Sequence, residues 1–295
     1  MPLSESHLAV IFSLGSAVLA ATFSLIVRRG QVHGNAATGV IIGLIVNIPW
    51  LVAATIWLWE PSWWNPWAFL LLTGSGLTGP ALGRMFMFLG IHNLGVSRAM
   101  PLMATNPLFT AVLAYSILGE RPGPYIWAGT FLVVAGCVAI TMKGKTEPGW
   151  NRRAIWLPLA AVAGFSISNI FRKAGMEAVP SPILGITLTS LTGLIFLLLS
   201  MRFMPAGHRP NLKWGKVWTF YGVCGLINSF AFLSHFAAIR YGDLAVISPL
   251  SATAPFFALT LSLFFLRDLE RVTAWIVSGT VFVVAGGALI AWRIL

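Results

Sequence analysis

The sequence predicts an all-α integral membrane protein: ten transmembrane helices, arranged as two inverted five-helix repeats around a central cavity. Three observations point there. The composition is too apolar for water, with 57% hydrophobic and only 9% charged residues, where a soluble domain carries about 25% charged. Ten runs of at least 18 residues lack Asp, Glu, Lys and Arg. One long phrase is written twice, about 148 residues apart.

The runs are, in order, 6–27, 30–59, 61–83, 99–119, 122–142, 154–171, 178–201, 217–239, 244–266 and 272–292. Each is long enough for the ~20 residues a helix needs to cross a bilayer, and a helix satisfies its own backbone polar groups there. Barrel strands would alternate polar and apolar residues, and these runs do not. The first run resembles a signal peptide in its apolar character. No basic segment precedes it and Arg28–Arg29 follow it, so it reads as a true span. The basic residues behind the net charge of +11 are scattered singly or in pairs between the spans. They suit cytoplasmic loops and exclude a nucleic-acid partner as the reason for the charge. Cys137 and Cys224 lie inside apolar runs and read as packing residues, with no metal or cofactor implied.

The repeat begins with "PLMATNPLFTAVLAYSIL" (101–118) against "PLSATAPFFALTLSLFFL" (249–266), where eight of eighteen positions are identical. After a two-residue shift, "ERPGPYIWAGTFLVVAGCVAI" (120–140) pairs with "ERVTAWIVSGTVFVVAGGALI" (270–290), ten of twenty-one being identical. The first and sixth spans also end alike, "FSLIVRRG" beside "ISNIFRKAG". Five spans per half is an odd number, so the second half enters the membrane in the opposite sense to the first, as in many secondary transporters. The expected units are residues 1–142 and 154–295, joined by a polar loop at 143–153.

With Pro in each fourth span, "GER" or "LER" at its end and "GT-x-x-VVAG" in each fifth, the chain resembles the EamA-type members of the drug/metabolite transporter superfamily. That resemblance implies a small-metabolite carrier or exporter with a cavity between the two bundles. It also implies termini on the cytoplasmic side. Loop charges imply the reverse. Arg28, Arg29, Arg98, Lys143, Lys145, Arg152, Arg153, Arg202, Arg209, Lys213, Lys216, Arg267 and Arg271 fall on one side, against Arg121, Arg172, Lys173, Arg240 and Arg293 on the other.

Polar groups inside a bilayer are costly and mark sites or pathways. Arg84, in the third span, either lines the cavity or snorkels to the interface; facing the cavity, it favours an anionic group. His235, in the eighth span, corresponds to Met87, three residues after Arg84, so both belong on one face in the symmetric frame. Asn228, Asn169, Asn106, Thr105 and Thr253 are further substrate-binding candidates, with Ser229 and Asn47 beside them. Each also has a plain role in helix–helix hydrogen bonding. The matched prolines Pro101, Pro107, Pro249 and Pro255 each remove a backbone donor, and the kinked helices are expected to wall the path. The small-residue series Gly74, Gly76, Gly79 and Gly83 reads as close helix packing, and no Walker-type phosphate loop is present.

The expected function is a secondary transporter, an exporter or facilitator of a small polar metabolite such as an amino acid or organic anion. It would sit in a cell membrane, the bacterial inner membrane fitting best, with the lipid bilayer and a small molecule as its partners. A monomer suffices for this. A lipid-head-group flippase is the alternative, and an intramembrane enzyme built on Ser75 and His235 a more distant one. Glu120 and Glu270 are expected at the starts of the fifth and tenth helices, favourable beside the N-terminal dipole.

Overall fold

The computed structural model describes residues 4–30, 36–94, 96–141, 152–200, 210, 212–265 and 274–294. Among these there is no strand. The first stretches are α1 (Glu5–Gly30) and α2 (Ala36–Trp57). The third combines α3 (Pro66–Gly76), a π turn (Leu77–Gly83) and α4 (Arg84–Leu94). The fourth combines α5 (Val96–Met103), α6 (Asn106–Leu113) and a second π turn (Ala114–Leu118). Then come α7 (Pro124–Thr141), α8 (Trp156–Ala178), α9 (Pro182–Ser200) and α10 (Lys216–Tyr241). The ninth stretch is α11 (Leu244–Ser251) with α12 (Ala254–Phe265), and α13 (Ala274–Ile294) is the tenth. Residues 143–151 of the expected 143–153 loop and the Glu270–Arg271 pair lie outside the described residues.

Among the described residues, six segments are long and apolar enough to cross a bilayer: Glu5–Ile26, Thr38–Trp57, Arg98–Leu118, Pro182–Ser200, Lys216–Tyr241 and Leu244–Leu261. Pro124–Ile140 and Ser278–Trp292 are shorter apolar helices. The two remaining stretches, residues 66–94 and α8, are the ones that carry Arg84 and Arg172. Large apolar side chains such as Phe131, Ile195, Leu199 and Val281 stay exposed, as they do when lipid is the solvent. Exposed Trp57, Trp64 and Trp67 cluster between the second and third stretches, the interfacial position that amphipathic indoles prefer.

Local signals start and stop these helices. Asn65 precedes Pro66, and its Oδ1 accepts from Trp67 N at 3.0 Å and Ala68 N at 3.2 Å, a side-chain cap followed by proline at the first helical position. The fourth stretch ends at Gly119, whose φ of 72° is a left-handed conformation that glycine adopts without steric cost.

Close crossings join the halves of the chain. A Cβ on Gly129 would meet Gly286 O at 2.8 Å, and one on Gly136 would meet Gly279 O at 2.5 Å. Thus α7 and α13 run antiparallel with backbone almost touching backbone. A Cβ on Gly225 would lie 2.6 Å from Gly43 Cα, which locks α10 onto α2. The series Gly74–Gly83 packs as expected: Gly76 abuts Thr189 O and Gly79 abuts Ser168. The π turn within it is the new element. It accommodates Pro80 and re-aims the helix just before Arg84.

Two expectations are corrected. Arg172 is not a loop residue, because α8 continues six residues past it and its side chain is only 5% exposed. Arg172 therefore drops out of the loop charges. Glu120 does not serve the start of its own following helix. Its Oε1 accepts from Leu244 N at 2.8 Å and its Oε2 from Ala245 N at 2.9 Å, so it caps α11. Asp243, at the N-cap of α11, makes no side-chain cap of its own.

Candidate functional site

A cavity of about 340 Å³ lies among α1, α6, α8, α10 and α11. Its polar lining includes Asn106, Asn169, Arg172, Asn228, His235 and Ser251. Each comes from an apolar helix, so each is held by the packing around it rather than by a mobile loop.

Arg172 is its dominant group. Nη1 donates to Asn169 Oδ1 at 3.2 Å, one helical turn earlier on α8, where i and i+3 side chains meet. The guanidinium also stands over the rings of Phe232 and Phe236, at 5.4 and 5.3 Å from the centroids, a cation–π arrangement. Nε is buried and without a hydrogen-bond partner. Among the described residues no carboxylate pairs with this charge. An uncompensated buried cation costs several kcal/mol, and an anion in the cavity would offset that cost.

His235 Nδ1 lies 3.2 Å from Ser251 Oγ, and Ser251 Oγ lies 3.2 Å from Ser16 Oγ. Ser16 gives its single proton to Ser13 O at 2.7 Å. Ser251 therefore donates to Ser16, and His235 donates from Nδ1 to Ser251. This chain holds the imidazole on the cavity wall. Asn106 Nδ2 donates to Ser166 Oγ at 3.0 Å and Val162 O at 3.2 Å, fastening the start of α6 to α8.

A second, tighter space of about 30 Å³ adjoins, lined by Asn47, Arg84, Asn228 and Phe232 among others. Asn228 and Phe232 border both spaces. They sit four residues apart on one face of α10. Among the described residues nothing hydrogen-bonds the Arg84 guanidinium.

Thr105 and Thr253 line neither space. Their hydroxyls donate to Leu102 O at 2.6 Å and Leu250 O at 2.7 Å, inside the two breaks that separate α5 from α6 and α11 from α12. The four prolines also stay off the linings of both spaces. Pro107 and Pro249 are buried in the packing, and the breaks present their neighbours Asn106, Ser251 and Ala252 to the larger cavity. Ser75 bonds Leu72 O at 2.7 Å and Thr189 Oγ1 at 2.8 Å, on neither lining, so it forms no pair with His235. Sequence reasoning missed Arg172 and Phe232. The signal for Arg172 was its spacing from Asn169; an aromatic among aromatics offered none for Phe232.

Comparisons with known proteins agree with this architecture. A solved protein crystal structure superposes on 97% of this chain and 98% of its own length, with a TM-score of 0.78 at 18% identity, which speaks for the fold alone. The chain is 27% identical over 120 residues to phosphoenolpyruvate/phosphate translocator 1, chloroplastic, of Oryza sativa subsp. japonica, covering 40% of this chain and 29% of that one. It is 24% identical over 177 residues to Protein LicB of Haemophilus influenzae, covering 57% of this chain and 59% of that one. The chain thus spans well under two thirds of the length of these relatives. The sequence profile of the EamA-like transporter family matches residues 7–142 and again 152–292; the chain is a multi-pass membrane protein and belongs to the EamA-like transporter family.

Proposed function

We propose that the chain is a secondary transporter of a small anionic metabolite, working by alternating access in the bacterial inner membrane. The observation that carries this reading is Arg172: a guanidinium buried in a 340 Å³ cavity, held by Asn169 and two aromatic faces, with no carboxylate partner among the described residues. Such a site attracts a carboxylate or phosphate, which a planar fork of donors grips bidentately. Two relatives are named as translocators of phosphoenolpyruvate and phosphate, and both of those are anions. No described acidic residue lines either space to receive an ammonium group, so an organic anion suits the site better than an amino acid.

Alternating access would use two inverted five-helix repeats, residues 1–142 and 154–295. The double family match supports that division. So do the reciprocal glycine contacts, in which Gly129 faces Gly286 while Gly136 faces Gly279, because these four are two repeat-related pairs. With Arg172 on α8 and His235 on α10, the substrate would contact elements of the second half, while Asn106 of the first half closes over it. Movement down the substrate's own gradient, or exchange against a second anion, fits a cavity with no described carboxylate to carry a proton.

The test is uptake into proteoliposomes holding the purified chain, with a panel of radiolabelled carboxylates, phosphorylated acids and amino acids. At least one anion is expected to accumulate, and Arg172→Gln is expected to abolish its uptake. Uptake confined to cations or zwitterions, or anion uptake indifferent to Arg172, would overturn the reading.

A further inference from the structure

The tight space beside the main cavity holds a second unsatisfied pair of groups. Arg84 lines it with no hydrogen-bonding partner among the described residues. Asn47, only 3% exposed, lines it with a buried Oδ1 that has no hydrogen-bond partner. A buried amide oxygen left without a donor costs about 1–3 kcal/mol, so Asn47 favours a donor in this space. At about 30 Å³ the space exceeds the 10–15 Å³ that one water requires. It accommodates one polar head group.

This space is not a separate site. Asn228 and Phe232 border both. The π turn also links them: a Cβ on Gly79 would lie 3.6 Å from Arg172 Nη2, and Arg84 follows five residues later on the same segment. The two like charges thus stand on neighbouring parts of one wall and repel each other. One anion beside Arg172 would leave Arg84 without a counter-charge.

We propose that the two spaces are two lobes of one substrate site, and that its substrate is a small organic dianion whose anionic ends are received by Arg172 in the large lobe and Arg84 in the small one. This rests on the anion-transporter reading and narrows it. Asn47 Oδ1, which only accepts, suits a hydroxyl or other donor on the substrate beside the end held by Arg84, and Phe232 packs beside the short carbon chain between the ends. A monoanion engages only the large lobe.

The experiment is calorimetric binding to the purified full chain in detergent, using lactate as the monoanion and malonate, succinate, glutarate and 3-phosphoglycerate as multiply charged probes. At least one of the latter is expected to bind about tenfold or more tightly than lactate, the effect of one extra charge-assisted contact. Arg84→Gln should remove that advantage while weakening lactate by a clearly smaller factor than the multiply charged probes, Arg84→Lys should retain part of it, and Arg172→Gln should weaken every probe. Arg84→Gln should also melt at a higher temperature than the native chain, because it removes a half-buried charge that lacks a described partner; a purely structural arginine would melt lower on replacement. The proposal is overturned if Arg84→Gln leaves the affinities of all probes unchanged, weakens lactate by the same factor, or lowers the melting temperature. Arg172-dependent lactate binding with no dianion advantage overturns this inference alone, whereas the absence of binding by every anion overturns the transporter reading with it.

Discussion

Glu120 and Leu244 are 124 residues apart, yet the carboxylate of one accepts the first free backbone N–H of the helix begun by the other, at 2.8 Å. The second oxygen takes Ala245 N at 2.9 Å. A helix N-terminus leaves its first N–H groups without intrahelical partners, and here the charge that satisfies two of them arrives from the other half of the chain. This contact ties the end of the fourth stretch to the start of the ninth. Replacing Glu120 by Ala is expected to cost about 1–3 kcal/mol, read as a lower melting temperature in detergent, with Asp recovering part of it.

The same residue makes stability depend on pH. Burial raises the Glu120 pKa, the two backbone donors oppose that rise, Asp243 adds to it and Lys173 opposes it. A carboxylate whose folded pKa lies above its unfolded one binds more protons in the native state, so its contribution to stability falls as pH rises through the interval between the two values. Melting temperatures measured across that interval are expected to decline with pH in the native chain and to be flatter in Glu120→Gln.

At the α7–α13 crossing a methyl group has nowhere to go. Gly136→Ala would bring Cβ within 2.5 Å of Gly279 O, a backbone atom that cannot rotate aside. Overpacking of this kind costs about 1–3 kcal/mol. Gly123→Ala, with nothing within 4 Å and no left-handed φ, is the control and should melt as the native chain does.

Asn169→Asp should separate stability from function at the Arg172 site. The new carboxylate would stand where Oδ1 now accepts from Nη1 at 3.2 Å and would supply the missing counter-charge. The variant is expected to melt at a higher temperature and to lose anion uptake by tenfold or more, since one charge-assisted contact is worth about 1.5–3 kcal/mol. Unchanged uptake in proteoliposomes would remove Arg172 from substrate binding.

Trp50 supplies the opposite case. Its Nε1 is buried with no hydrogen-bond partner, while its ring stacks on Phe230 at 5.8 Å. Trp50→Phe keeps an aromatic there and removes the orphan donor, so the melting temperature is expected to hold or rise, with transport unchanged.

Much of this protein is local, and what is local was legible in the order of residues. Twenty uncharged apolar residues form a helix in lipid whatever lies beside them, because the backbone has no other partner there. Asn65–Pro66 starts a helix by its own capping geometry. Arg84, His235, Asn106, Asn169 and Asn228 stood out because a polar group inside such a run is expensive. Arg172 did not stand out, since it closes a run and is followed by Lys173, as a loop pair would be. Only the packing separates the two: Lys173 turns to Ile239 O and Gly242 O at 3.3 and 2.9 Å, while Arg172 turns inward to Asn169 and Phe232. Thr105 and Thr253 looked like symmetric ligands, and the helix breaks claim their hydroxyls instead.

The sequence by itself determined the helices, the repeated phrase and the solvent, because run length, composition and capping act within a few turns of one chain segment. The tertiary structure alone decided which charge faces the cavity, which carboxylate caps which helix, and that the Arg84 and Arg172 spaces share a wall. Those outcomes depend on how each helix is rotated about its axis, and that rotation is set by contacts such as Gly43 on Gly225 and Gly136 on Gly279, between residues more than a hundred positions apart.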